Sequence, residues 1–156
     1  MCFVGAQNKP LLNLACRHHI HELVIAKVFE TVIERASSCP QSKLFQRFAT
    51  AWNTISTRVF ESAISDDQLA TKLDPIKKDI LDFLKKQLRT LQPTDDYKEL
   101  LHLGILFFSG TSDDVTVRGV HAPGAYHRAR WMAKLIYCLK IYLYRSQFRL
   151  TPRELS

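Results

Sequence analysis

Apolar residues recur at three- and four-residue steps over two long stretches of the chain, residues 11–36 and 42–62. This spacing places them on one side of a helix, because an α-helix makes one turn every 3.6 residues. The pattern therefore predicts two long amphipathic helices. Their apolar positions are Ile20, Leu23, Val24, Val28, Val32 and Ile33 in the first, and Leu44, Phe45, Phe48, Trp52, Ile55, Val59 and Phe60 in the second.

Helix-start signals divide the middle of the chain. Ser65 and Thr94 each precede two aspartates, and Asp74 precedes Pro75. Each arrangement is typical of a capping residue followed by a first helical turn. We therefore expect a short helix up to about residue 73, a separate helix over residues 75–91, and another after Thr94. The residues expected to face inward on the helix over 75–91 are Ile76, Ile80, Leu81, Phe83, Leu84 and Leu88.

Residues 109–124 lack helical periodicity and predict a long loop, after which the periodicity resumes and predicts a last helix over residues 125–149. We expect one all-α domain of about five to six helices, with the long first and last helices packed together. Residues 151–154 look like the start of a further helix, which is typical of a fragment of a larger protein. The core-facing residues predicted for the last helix are Met132, Leu135, Ile136, Leu139 and Leu143.

The composition agrees with an all-α fold and indicates an intracellular protein. Hydrophobic residues make up 46% of the chain, whereas only five glycines and six prolines are present, too few for a β-fold with many tight turns. The four cysteines are widely separated and form no Cys-x-x-Cys pair, so we expect reduced thiols. The sequence predicts neither a secretory leader nor a membrane-spanning helix.

Positive charge is concentrated at the end of the chain. The net charge is +7, and residues 118–156 contain eight Lys and Arg against one Glu, whereas residues 66–117 contain seven Lys and Arg against ten Asp and Glu. On the last predicted helix, basic residues form one stripe and Trp131 borders it. Such a stripe suits contacts with DNA phosphates, and the ring suits stacking on a base, although a solvated helix face has the same pattern. The stripe contains His127, Arg130, Lys134, Arg145 and Arg149.

The string "CRHHIH" at residues 16–21 raises the question of a metal site. Cys16 and His19 are three residues apart and would share one face of a helix. A structural zinc ion needs four donors, however, and no second pair has ligand spacing. A nucleophilic role would require oxyanion donors and an orienting group that the string does not contain. We therefore expect these two residues to be structural, with no metal or cofactor.

The strings "CRHH" and "ARW", at the start of two helices separated by an all-helical stretch, resemble strings of cut-and-paste DDE transposases of the hAT and Kolobok superfamilies. The longer stretches "LLNLACRHHIHELVIAKVFE" and "HAPGAYHRARWMAKLIYCLKIYLYRSQF" resemble transposon-derived proteins from invertebrate genomes. The resemblance implies the helical insertion of an RNase H-like core. It also implies that Arg130 and Trp131 contact DNA, and that Cys16 and His19 are family motif residues.

In such transposases two aspartates and a glutamate hold divalent metal ions for strand transfer. The first two acids precede the Cys-x-x-His string, but no acidic residue precedes Cys16 here. Glu154 is the only acid after the Arg-Trp string. We therefore expect a catalytically inactive domain that retains DNA binding and would act in the nucleus. The alternative is a helical protein-interaction or structural module that binds no nucleic acid.

Overall fold

The computed structural model describes residues 23–24, 27–28, 31, 40–90, 94–111, 119–124 and 131–151, with only the backbone given for residues 40–42 and 131. Within these ranges the fold is all-helical, as predicted, and no residue is in a β-strand. The helices are α1 (Pro40–Ala51), α2 (Asp67–Leu88), α3 (Asp95–Ser109) and α4 (Trp131–Leu143), with 3-10 turns at Trp52–Thr54 and Ala63–Ser65. None of the described helices is long and apolar enough to cross a membrane.

Helix α3 occupies the centre of the fold and packs against α2 and against α4. It begins after Thr94, as predicted, with Asp95 and Asp96 in its first turn, where carboxylates interact favourably with the helix dipole. It ends at Gly110, whose left-handed φ of 65° lets its N–H donate to the carbonyl of Leu106. These local signals place the central helix at the position that the sequence predicts.

Helix α2 differs from the prediction because it continues through Pro75. It is a single helix of 22 residues, capped by Asp66, whose carboxylate accepts the N–H of Leu69 at 3.0 Å. Pro75 has no N–H to donate to the Thr71 carbonyl, but its fixed φ is compatible with the helix. The predicted break at Asp74 is therefore wrong, since the other backbone hydrogen bonds of the helix continue on both sides of the proline.

Helix α1 also ends earlier than predicted, at Ala51 rather than near residue 62. The chain beyond it forms hydrogen bonds with the end of α4 and with the turn that follows. The Gln147 side chain bonds to both backbone groups of Ser56, and the Glu61 N–H donates to the Leu143 carbonyl. Four β-branched residues lower the helix propensity of this segment: Thr54, Ile55, Thr57 and Val59. Long-range hydrogen bonds thus replace the expected helical ones.

Aromatic side chains join α1 to α4 in the core. The ring centroids of Phe45 and Tyr137 are 4.8 Å apart, and those of Phe48 and Phe148 are 5.0 Å apart in an edge-to-face arrangement. Leu103 and Leu106 of α3 complete this core and are fully buried. On α4, the predicted inward positions are confirmed: Met132, Ile136 and Leu143 are buried, and Leu135 and Leu139 are partly buried.

Apolar residues that the sequence places in the core are instead exposed in three places, one of which is Val59 at 57%. On α2, Ile76 and Phe83 have relative exposures of 48% and 58%, and no residue of this helix is fully buried. Leu23, Val24 and Val28 are helical, as predicted, but 55–57% exposed. The predicted packing of the first helix on the last lies otherwise outside the described residues.

Candidate nucleic-acid interface

The predicted basic stripe is not one face of a single helix, because α4 ends at Leu143. Lys134 lies on α4 and is half-buried, whereas Arg145 lies in the turns that follow and Arg149 in the irregular chain after them. Trp131 is the first described residue of α4, and its side chain lies outside the described part. The same holds for Arg130, Cys16 and His19. The expected helix over 125–149 is thus corrected at its C-terminal end.

Arg145 points toward the protein and not along a stripe. Its Nη1 donates to the carbonyl of Glu61 at 2.9 Å and to that of Tyr142 at 2.8 Å, while Nη2 lies 2.9 Å from the Glu61 carboxylate. The guanidinium also stacks 4.0 Å from the centre of the Tyr142 ring. The planar guanidinium therefore holds the C-terminal end of α4 against the backbone at Glu61, so Arg145 has a structural role.

Lys140 is even less accessible, with a relative exposure of 1%. Its Nζ lies 2.8 Å from Oε1 of Glu99, which is itself buried, and donates to the His121 carbonyl at 3.0 Å. Burial lowers the pKa of Lys140 from its ordinary value, and the Glu99 carboxylate opposes that shift by favouring the charged ammonium. Glu99 also accepts the His121 N–H at 2.6 Å. This cluster attaches residues 119–124 to the core. The positive charge of Lys140 is paired with the Glu99 carboxylate inside the protein.

The structure brings together a different set of basic residues, Lys43, Arg47 and Arg149, which we call the basic surface. The Arg47 guanidinium lies 4.1 Å from the centre of the Phe148 ring, and its Nη2 donates to the Arg149 carbonyl at 3.1 Å. These contacts place α1 beside the end of the chain. Lys43 lies one helical turn before Arg47, and the side chains of Lys43 and Arg149 are exposed. Of this surface, the sequence prediction included only Arg149.

The elements that form the basic surface contain no acidic residue. The sequence has no Asp or Glu between Glu34 and Glu61, or between Asp114 and Glu154. Two carboxylates from outside these stretches do reach the α4 region. Glu61 forms an ion pair with Arg145, and Glu99 forms one with Lys140. The charge of the basic surface is therefore not cancelled by carboxylates of its own segments. The absence of acids from both stretches is the sequence signal that could have identified α1 as part of it.

A separate groove of about 420 Å³ lies where the 3-10 turn at Ala63–Ser65 meets α2 and the end of α3. Its walls are mainly apolar, with Ile64, Leu73 and Phe108, and it contains one carboxylate and one ammonium, those of Asp74 and Lys77. None of the predicted site residues lines it. In the described ranges, moreover, no group of three or more His, Cys, Asp or Glu side chains is arranged to hold a metal ion.

Comparison with known proteins yields no relative: no protein-family model matches the chain, and no curated protein or solved structure shows significant similarity to it.

Proposed function

We propose that this chain is a transposase-derived helical domain, catalytically inactive on its own, that binds the DNA backbone through the basic surface. The observation that carries the DNA-binding proposal is the position of Lys43, Arg47 and Arg149, which come from two distant segments without acids. A duplex carries one negative charge per roughly 1.7 Å of its axis, so neighbouring exposed cations can each contact a phosphate.

The contacts of Arg47 support this proposal. Its guanidinium is held between an aromatic ring and a backbone carbonyl, so that its orientation is determined before any ligand arrives. Preorganisation of this kind lowers the entropy lost on binding. Lys43 and Arg149 are exposed, and their long side chains can adjust to phosphate positions.

The transposase origin is supported by the "CRHH" and "ARW" strings and by their order around a helical stretch. No acid precedes Cys16 in these 156 residues, so by themselves they lack the first two metal-binding acids of such transposases. Under this proposal Arg130 and Trp131 also contact DNA, and Lys134 adds to the positive potential, whereas Arg145 acts on the fold alone.

The decisive experiment measures duplex DNA affinity over a salt series for the full chain and for the double variant Lys43→Gln/Arg149→Gln. Both side chains are exposed, so the fold should be retained. We expect weaker binding and a plot of log affinity against log salt that is flatter by nearly one unit per lost contact. The matched control is Lys78→Gln/Lys85→Gln on α2, which removes the same charge from exposed positions elsewhere. Equal binding by both variants would refute the proposal.

The predicted aromatic contact needs its own measurement. Trp131→Ala should weaken binding to a single strand by about 1–3 kcal/mol with little change in the salt dependence, because stacking releases no counterions. Arg130→Gln and Lys134→Gln should instead flatten the salt dependence.

A helical protein-interaction module is the second candidate, because Ile76 and Phe83 present apolar surface on α2. If the chain binds neither single-stranded nor duplex DNA at low salt, this second function is favoured over the first.

A further inference from the structure

The groove between the 3-10 turn at Ala63–Ser65, α2 and the end of α3 has the size and lining of a small-molecule site. Its volume of about 420 Å³ lies within the roughly 300–1,000 Å³ that is common for ligand pockets. Ile64, Leu73 and Phe108 give it apolar walls, and all of its polar side chains belong to α2. In pockets of this kind the apolar walls supply contact area and the few polar groups determine the orientation of the ligand.

The charges of the groove are ordered along α2, with the negative charge nearer the N-terminus of the helix. Asp74 and Lys77 both line the groove and are three residues apart, so their side chains are neighbours on the helix surface. Exposed Asp67 lies before this pair and exposed Lys78 after it, on the adjoining side of the helix, whereas Lys72 lies on the opposite side. In the described part of the chain, neither the Asp74 carboxylate nor the Lys77 ammonium is bonded to another side chain. The groove therefore presents one carboxylate and one ammonium to a ligand.

Pro75 adds a further polar group, a backbone carbonyl. Because proline has no N–H, the Thr71 carbonyl lacks the donor that it would have in an uninterrupted helix. Thr71 and Pro75 both line the groove, beside Asp74. A carbonyl oxygen and a carboxylate are both acceptors, and together they suit an ammonium group, which has three N–H donors.

We propose that this groove binds a free α-amino acid with a large apolar side chain, such as leucine. The ammonium of the ligand contacts the Asp74 carboxylate and the Thr71 carbonyl, and its carboxylate contacts Lys77. Its side chain packs on Ile64 and Phe108 and is removed from water. A ligand with only one of the two charges would leave a charged group of the groove without a partner, so the groove selects a zwitterion. This site is independent of DNA binding.

A titration of the full 156-residue chain followed by nuclear magnetic resonance tests the site. Leucine should shift the amide signals of Ala70 and Leu73, which line the groove, until they saturate. Isopentylamine and isocaproate keep the apolar side chain of leucine but lack its carboxylate and its ammonium, respectively. Each should bind at least about tenfold more weakly, because one charged contact is lost. Glycine, without an apolar side chain, should not bind measurably.

Two outcomes of this titration would overturn the proposal. One is the absence of any saturating shift with leucine. The other is equal binding of leucine and of N-acetyl-leucinamide, which has neither charge, because the groove would then accept an apolar side chain of a peptide and not an amino acid.

Two substitutions separate the two charged contacts. Asp74→Asn should weaken the binding of leucine and isopentylamine and leave that of isocaproate unchanged. Lys77→Gln should weaken the binding of leucine and isocaproate and leave that of isopentylamine unchanged. Lys72→Gln and Asp79→Asn are the matched controls, because they remove the same charges from exposed positions on the opposite side of α2. If the controls weaken leucine binding as much as the groove variants do, the assigned contacts are wrong.

Pro75→Ala tests the backbone carbonyl. The N–H of the introduced alanine can donate to the Thr71 carbonyl within the helix, so this acceptor is no longer offered to a ligand. Binding of leucine and isopentylamine should weaken, whereas isocaproate, which has no ammonium, should bind as before. Equal weakening of all three ligands would overturn the role assigned to the carbonyl.

Discussion

The ammonium nitrogen of Lys140 on α4 lies 2.8 Å from Oε1 of Glu99 on α3, and both side chains are buried. The same carboxylate oxygen accepts the N–H of His121, and the ammonium donates to the His121 carbonyl. One ion pair therefore joins two helices and the segment between them. Removing a single partner of such a pair leaves an uncompensated charge in the core, which is more harmful than removing both.

We predict that Lys140→Met lowers the free energy of unfolding by about 3–5 kcal/mol, because Glu99 then remains buried without its cation. The double variant Lys140→Met/Glu99→Gln should lose less, since the amide oxygen of the introduced glutamine can still accept the His121 N–H and no charge remains. Urea denaturation at neutral pH, followed by circular dichroism, measures both. Equal or greater loss in the double variant would contradict this account.

Gly119 provides a test of how residues 119–124 pack on α3. A Cβ built on Gly119 would overlap the ring of His102, which is buried at 3% exposure. We expect Gly119→Ala to destabilise the protein by about 1–3 kcal/mol through this steric conflict. Gly124→Ala is the control, because a Cβ there meets nothing within 4 Å, and its effect should stay within about 0.5 kcal/mol. Thermal unfolding of both variants should separate them, and similar midpoints would show that this packing is absent in solution.

Arg145 is expected to contribute to stability mainly through its backbone acceptors. Arg145→Gln removes the hydrogen bonds to the Glu61 and Tyr142 carbonyls and should cost about 1–2 kcal/mol of unfolding free energy. Glu61→Gln removes only a partly exposed ion pair and should cost about 0–1 kcal/mol. Arg149→Gln should leave stability unchanged, because its side chain is exposed. A loss on replacing Arg149 equal to that on replacing Arg145 would refute the distinction between the two arginines.

Cys138 should make the fold less stable at alkaline pH. Burial raises the pKa of its thiol to about 11, while the positive charge of Lys134 opposes this shift. In the unfolded chain the thiol ionises near its ordinary pKa of 9.0, so above that pH the unfolded state loses a proton that the folded state keeps. The stabilising contribution is complete below pH 9.0 and is lost as the pH rises toward about 11.

The comparison of the parent with Cys138→Ala isolates this effect, because Lys140 and the buried tyrosines titrate in both proteins. Between about pH 8 and pH 11 the parent should lose up to about 2 kcal/mol more than the variant. Denaturation series at several pH values give the two slopes. Parallel slopes would mean that the Cys138 thiol is not protected from ionisation by the fold.

The sequence by itself determined those elements whose signals are local. The central helix α3 begins after Thr94, as predicted, and ends within one residue of the start of the predicted loop at residue 109. First-turn carboxylates and a left-handed glycine act within a few residues of their own positions, although the Thr94 side chain forms no capping hydrogen bond. The inward face of α4 was also predicted correctly, since apolar periodicity depends only on helix geometry. These features required no knowledge of what each helix packs against.

Only the tertiary structure decided the ends of α1 and α4 and the roles of the cations. Arg145 and Glu61 are 84 residues apart, so spacing along the chain could not reveal that the predicted DNA-contacting arginine is bonded to the protein. From the sequence alone Lys140 would be expected to be solvated, because only the fold brings Glu99 beside it. Arg47 and Arg149 meet because aromatic packing joins α1 to the chain after α4. A side chain's partners depend on which segments the core brings together, and that is a property of the whole fold rather than of local sequence.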